Sequence, residues 1–162
     1  LKKNRQRYQL EDYQLPELDS ILWDAFSLYT RLRFSDGRGA VSCVTCDKEF
    51  YFRKIQAGHY RTRSCKYVKF SEFNVHPQCA GCNKYLKGNP IKYRKFLLKT
   101  YGEYVIDYIE DAPDMYKRDR FTYLELIRLY FAELINLDNY NLDESKFEKK
   151  HSKFLRLLKE SE

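Results

Sequence analysis

Long apolar runs are missing from this chain. None reaches the roughly 18 residues that would suggest a transmembrane helix, so no membrane span is expected. The opening Leu1-Lys-Lys-Asn-Arg-Gln-Arg lacks the apolar centre of a signal peptide, and no secretory leader is expected. It starts at Leu rather than Met, as would a chain without its true N-terminus. Internal repeats and low-complexity segments are also absent. Acidic residues are outnumbered, 23 Asp and Glu against 30 Lys and Arg, which gives a net charge of +7 and a pI near 9.1. That balance favours a polyanionic partner such as nucleic acid. Histidine is scarce, at three. Cysteine comes in an odd number, five, which fits poorly with a secreted disulfide framework.

What is present is enough chain, 162 residues, for one domain with a sizeable core. Residues 1–15 read as a basic, loosely ordered segment. Pro16 suits a first helical turn, and Ile21, Leu22, Ala25, Phe26, Tyr29 and Leu32 recur at helical spacing through Arg33. Ser35-Asp-Gly-Arg-Gly breaks that helix, and Val41-Ser-Cys-Val-Thr-Cys is strand-like. Phe50–Ile55 and Phe73–His76 predict two more strands around a long basic connection. Asn83–Lys87 predicts a short helix, stopped by Gly88. Asn89-Pro90 supplies an N-cap and a proline for a helix to about Tyr101, with Gly102 as its stop. Residues 103–110 suggest another helix. Thr122-Tyr-Leu-Glu125 matches a capping box, followed by the apolar stripe Leu124, Ile127, Phe131, Leu134 and Ile135. A last helix is expected over 143–159, with His151 on its surface. Tyr and Phe total 26, and most are expected in the core and helix seams rather than as base-stacking platforms.

Four of the cysteines form two C-x-x-C pairs, Cys43/Cys46 and Cys79/Cys82, with 32 residues between them. Two such turns supply the four thiolates of a closed tetrahedral zinc site. A closed site is structural, because zinc needs an open position to activate water. Metal binding of this kind contributes on the order of 10 kcal/mol to folding. It would compensate for the thin apolar content of residues 43–82. His76 is not expected to enter the site, and Cys65 is expected as a free thiol.

The order C-x-x-C, a strand ending in His59, then Asn74, then C-x-x-C followed at once by Asn83, resembles the cysteine-stapled branch of the HNH (ββα-metal) nucleases. Four segments resemble one family more closely. They are LWDAFSLYTRLRFSDGRGAVSCVTC, AGHYRTR, FNVHPQCAGCNKYLKGNPIKYRKFL and YGEYVIDYIE, running from Leu22 to Glu110. Together they are similar to the NinG (Rap) family of phage recombination endonucleases. The resemblance implies a zinc-stapled ββα-metal core, and it does not reach past Glu110. With the N-terminal helix and the mainly helical C-terminal part read from the apolar period, the expected fold is α+β, with a nuclease domain over 16–112 and a helical extension over 113–162. It implies a structure-selective DNA endonuclease acting on Holliday junctions and D-loops with Mg²⁺ or Mn²⁺, in the cytoplasm of a phage-bearing host. By resemblance His59 is the general base, Asn74 orients it through the side-chain amide, and Asn83 helps hold the cation.

The residues support this chemistry in their own right. Histidine is the side chain best poised to take a proton near neutral pH. Hydrolysis of a phosphodiester also needs a cation to offset developing charge. Many HNH nucleases place an acidic or histidine ligand just before the base, but here that position is Gly58. The nearest upstream polar residue is Gln56, a weaker ligand than the carboxylate expected in related chains. Three possibilities stay open: Gln56 ligates weakly, Asn83, His59 and the DNA phosphate hold the ion, or activity is reduced. Arg61 and Arg63 would share one face of an extended loop and grip phosphate. Lys66, Lys69, Lys84, Lys87, Lys92, Arg94 and Lys95 would add sequence-independent phosphate attraction, and Asn89 would serve either as the helix N-cap or as a metal or phosphate contact. Two alternatives compete with a junction nuclease. One is an HNH enzyme that cuts duplex DNA; the other is a zinc-stapled DNA-binding module without catalysis. Two-fold junctions would suit a homodimer, with Phe131, Leu134 and Ile135 as its interface.

Overall fold

A computed structural model describes residues 12–137, together with residues 150–152, 154 and 156. Helix α1 spans Leu15–Arg33. Pro16 occupies its first turn, and the Glu17 carboxylate accepts from the Gln14 amide at 2.7 Å, satisfying one donor the helix leaves open. Beyond α1, the Asp36 side chain accepts from the amides of Arg38 and Ala40, both at 2.9 Å, and turns the chain. Strand β1, Ala40–Ser42, then pairs antiparallel with β2, Glu49–Tyr51. Strand β3, Gln56–His59, pairs antiparallel with β4, Val75–Gln78, with His59 opposite Val75.

These strands differ from the sequence expectation in register. The run from Phe50 splits: Tyr51 closes one hairpin, Phe52–Ile55 turn, and the next strand starts at Gln56. Phe52 and Ile55 are buried, so their apolar character reflects anchoring of a turn rather than a strand. The later strand begins at Val75, two residues after the expected Phe73, because residues 71–74 form a turn closed by Asn74 N to Ser71 O at 3.0 Å.

The short helix expected over 83–87 is instead a π-helical turn at Gly81–Tyr85, which starts within the second cysteine pair and runs past Cys82. Helix α2 runs Pro90–Tyr101 and α3 runs Glu103–Glu110, with Gly102 between them at φ 87°, a conformation that favours glycine. Helix α4, Arg120–Asn136, starts before the expected capping box. Its cap is Asp119, whose carboxylate accepts from the Thr122 amide at 2.7 Å.

Two apolar clusters hold the molecule. In the larger, Leu18, Leu22, Ala25 and Phe26 of α1 meet Phe52, Phe70 and Val75, and Ile127, Tyr130 and Leu134 of α4 close the other side. The helical extension from residue 113 therefore shares its core with α1. The proposed dimer stripe is largely spent in this way: Leu134 is buried and Phe131 packs on the same core, leaving Ile135 exposed. The described part of the last helix also docks there, through Phe154. His151 is buried, not on the surface, and its Nε2 lies 2.9 Å from the Asp24 carboxylate. The rest of the helix expected over 143–159 lies outside the described residues. The smaller cluster joins α2 and α3 through Tyr93, Leu97, Val105, Ile106 and Ile109, with Cys65 and Val68.

His76 links the strands to α2. It is fully buried, with Nδ1 at 3.0 Å from the Tyr93 hydroxyl and Nε2 at 2.9 Å from that of Tyr101. Burial pushes its pKa down to about 3. The folded state therefore resists a proton that the unfolded chain accepts near 6.5. Its contribution is fully present above about 6.5 and declines as pH falls toward the folded value. Urea unfolding across this window should show stability falling with acid, and His76→Gln should flatten that slope. An unchanged slope would contradict the assignment.

Candidate metal centre and catalytic site

The two C-x-x-C turns come from opposite sides of the strand region. Cys43 follows β1, and its carbonyl accepts from the Cys46 and Asp47 amides at 3.3 and 2.9 Å, which folds the first turn back on itself. Asp47 takes up the reversal at φ 59°. The second pair follows β4 directly. The Val44 amide donates a hydrogen bond to the Pro77 carbonyl at 3.0 Å, which locks the first turn beside β4. The four sulfurs of Cys43, Cys46, Cys79 and Cys82 lie within 4.8 Å of one another, and Cys46 and Cys79 are 3.8 Å apart. A tetrahedron with metal–sulfur bonds of about 2.3 Å has edges of about 3.8 Å. This cluster can hold a metal such as zinc.

Its surroundings suit thiolates. The Cys79 amide points at Cys43 Sγ from 3.3 Å and the Cys82 amide at Cys79 Sγ from 3.4 Å. Burial raises the Cys43 thiol, but the Thr45 hydroxyl and the amides of Cys79 and Thr45 outweigh it and bring it down to about 7. Cys46 is pushed up to about 12 by burial and by the neighbouring thiols. Four crowded sulfurs cannot all ionise alone, whereas a divalent cation offsets their charge. His76 stays outside the cluster, as expected. Cys65 is buried elsewhere, its thiol 3.6 Å from the Pro113 carbonyl.

His59 ends β3. Its ring stacks on Trp23 of α1, centroids 5.1 Å apart, and the Arg63 guanidinium also lies over Trp23, its carbon 5.4 Å from the ring centroid. Nε2 sits 2.9 Å from the Lys69 carbonyl. A carbonyl only accepts, so Nε2 carries the proton of the neutral ring and Nδ1 is left as the acceptor. Burial, against the Lys69 bond and helped by the Arg63 charge, pushes the pKa down to about 4. The ring is therefore neutral near pH 7.

The structure corrects the expected roles of several neighbours. Asn74 does not touch the His59 ring. It is fully buried and braces the loop: Oδ1 accepts from the Arg61 amide at 2.7 Å, while Nδ2 donates to the carbonyls of Arg61 and Val68 at 2.9 and 3.0 Å. The group that orients the ring is the Lys69 carbonyl, which a reading of side chains could not find.

Gln56 and Asn83 do come together, with Asn83 Nδ2 donating to Gln56 Oε1 at 2.8 Å. His59 is three positions from Gln56, so strand alternation turns it to the opposite face, toward α1.

The expected phosphate contacts divide in the same way. Arg61 is engaged within the fold: its guanidinium donates to the carbonyls of Ile109, Glu110 and Ala112 at 2.9, 2.9 and 2.6 Å, and meets Asp114 at 2.7 Å. Ile109 and Glu110 end α3, so Arg61 caps their open carbonyls and is not free to grip phosphate. Lys69 is buried in an ion pair with Asp19, and Arg94 pairs with Glu103 and Glu110. Asn89 stands at the N-cap position in a left-handed conformation but makes no side-chain cap; its Nδ2 lies 3.9 Å from Cys82 Sγ. Arg63, Lys66, Lys84, Lys87, Lys92 and Lys95 remain exposed.

Residues 3–140 match the family model described as Bacteriophage Lambda NinG protein. The chain belongs to the NinG family. Protein ninG of Salmonella phage P22 is 36% identical over 81 residues, which cover 49% of this chain and 38% of that one. Protein ninG of Escherichia phage lambda is 34% identical over 76 residues, covering 46% and 37%. This NinG-family chain spans under two-fifths of the length of the curated relatives it matches. No solved structure matches it. Among the described residues, no helix is long and apolar enough to cross a membrane.

Two outcomes follow from the geometry. Protein purified without chelator should carry one zinc per chain by elemental analysis; Cys46→Ser should lose it and Cys65→Ser should keep it. Retention by the first variant, or loss by the second, would contradict the ligand set. Asn74→Ala should lower unfolding free energy by about 1–3 kcal/mol, the usual cost of leaving a buried backbone group unpaired. Chemical denaturation measures this, and an unchanged midpoint would remove the loop-brace role.

Proposed function

We propose that this NinG-family chain is a metal-dependent, structure-selective DNA endonuclease that hydrolyses phosphodiester bonds in branched recombination intermediates, with an HNH-like core. The observation that carries the reading is the state of His59: neutral, with Nε2 committed to the Lys69 carbonyl and Nδ1 available. In the proposed reaction Nδ1 takes a proton from water, the resulting hydroxide attacks phosphorus, and the P–O bond opposite the attack breaks. The leaving oxygen then takes a proton from solvent. A Mg²⁺ or Mn²⁺ ion, when bound, offsets charge at the scissile phosphate. The Gln56–Asn83 amides would hold it, and the pair has a free amide oxygen on Asn83 with which to do so. Arg63, Lys66, Lys84 and Lys87 would position the backbone. Zinc would be structural, and the site of action would be the cytoplasm of the phage host.

The direct test is a labelled four-way junction, a fork and a linear duplex, each incubated with Mg²⁺, with Mn²⁺ and without either. Divalent-dependent incision of the branched substrates is expected. Incision of duplex alone would favour the duplex-cutting reading, and binding without incision the non-catalytic one. The pH profile of kcat/KM is a second test. It should stay flat from about pH 6 upward, because the free-protein base titrates near 4, and an acid limb centred near the ordinary histidine value would contradict the assignment. Gln56→Asp should lower the Mg²⁺ concentration needed for half-maximal cleavage, since a carboxylate is the stronger ligand. No change would place the cation elsewhere.

A further inference from the structure

From Phe73 to Gly102 the chain contains no Asp or Glu, but six Lys or Arg. Within this segment the second cysteine turn projects a knob between β4 and α2. Tyr85 is 83% exposed, Leu86 57% and Ile91 74%. Lys84, Lys87, Lys92 and Lys95 surround them, all exposed. Exposing an aromatic and two aliphatic side chains is costly in water, and four lysines beside them without a carboxylate repel any basic partner. The surface is matched to a ligand that is polyanionic and also offers apolar faces. Nucleic acid with unstacked bases meets both conditions. Paired duplex offers the charge, but its base faces are covered.

The knob is held firmly. The Gly88 amide bonds the carbonyls of Cys82 and Asn83 at 2.9 and 3.0 Å, and the Asn89 amide bonds that of Leu86 at 2.8 Å. Lys87, Gly88 and Asn89 are three consecutive left-handed residues, at φ 49°, 86° and 49°. They reverse the chain sharply and leave Tyr85 and Leu86 at the tip.

The knob is also tied to the proposed catalytic strand. The Gly88 carbonyl accepts from Gln78 Nε2 at 2.8 Å, and a Cβ added at Gly88 would stand 3.8 Å from the His59 carbonyl oxygen. A base bound at the tip would be held relative to His59 through the Gln78 side chain and the packed Gly88 backbone.

We propose that Tyr85, backed by Leu86, is a wedge that stacks on an unpaired base at a DNA branch point, with the surrounding lysines holding the flanking phosphates. This rests on the nuclease reading and supplies its branch selectivity: opening a base step costs least where pairing is already interrupted. The most exposed side chain of the knob thereby becomes the element that separates a junction from a duplex.

The test measures binding, not cleavage. In a His59→Ala background, affinities for a four-way junction and for a linear duplex of the same sequence are compared at one salt concentration. Tyr85→Ala should reduce the junction-over-duplex ratio roughly tenfold, the scale of one lost base–aromatic stack, with duplex affinity and zinc content unchanged. Tyr85→Phe and Tyr85→Trp should keep the ratio, because the ring and not the hydroxyl stacks. A junction preference that survives Tyr85→Ala overturns the wedge and leaves the nuclease reading standing. Absence of DNA binding by every form overturns both. Concentration-dependent self-association that Tyr85→Ala abolishes would assign the knob to a second copy of this chain and also overturn the wedge.

Discussion

The meeting of the two C-x-x-C turns is the constraint on which the rest of the structure depends. It joins the β1–β2 hairpin to the end of β4 across 32 residues of chain. Between the turns lie three short strands and a long basic connection. Strands of three or four residues are too short to persist by pairing alone. A metal in the cluster would add on the order of 10 kcal/mol of folding free energy to this segment. It fixes β4, and β4 sets the register of β3, so the cluster determines where His59 stands. The same link places Asn83 beside Gln56 and anchors the exposed turn that carries Tyr85.

A second set of interactions works inward from the loop. Asn74 spends its whole amide on the backbone of Arg61 and Val68. Arg61 in turn closes the end of α3. The buried Lys69–Asp19 pair ties the loop to α1, and the Tyr123 hydroxyl reaches Asp19 from α4 at 2.9 Å. Because the carbonyl that fixes the His59 tautomer belongs to Lys69, each of these contacts bears on the ring. In the proposed reaction the base is therefore aimed by backbone and packing. Its depressed pKa keeps it unprotonated but makes it a weak acceptor; an approaching phosphate would raise it.

Much of this was legible in the sequence. The cysteine spacing gave the cluster, because C-x-x-C geometry is local and independent of context. Helix α1, helix α2 and the Gly102 break followed from apolar period, proline and glycine, which are also local signals. Less legible was everything that depends on a partner distant in the chain. Asn74 and Arg61 are ordinary polar residues until the loop folds, and their acceptors are main-chain carbonyls that carry no sequence mark. Lys69 and His151 read as surface charges, yet Asp19 and Asp24 of α1 draw them in. The strand limits shifted because Phe52 and Ile55 are apolar without being in a strand, and because Phe73 falls in the turn before Val75. The wedge candidate was hidden among many aromatic residues, and its exposure beside Lys84 and Lys87 emerges only from the fold.

The central claim is that one histidine, oriented by a main-chain carbonyl, performs the chemistry. The most direct measurement is single-turnover cleavage of a labelled four-way junction with Mg²⁺, comparing the wild-type chain with His59→Ala, with junction affinity determined for both. The account predicts a loss of about 10²-fold or more in cleavage rate, the scale of a positioned base, and unchanged binding. Cleavage by His59→Ala at the wild-type rate would contradict it.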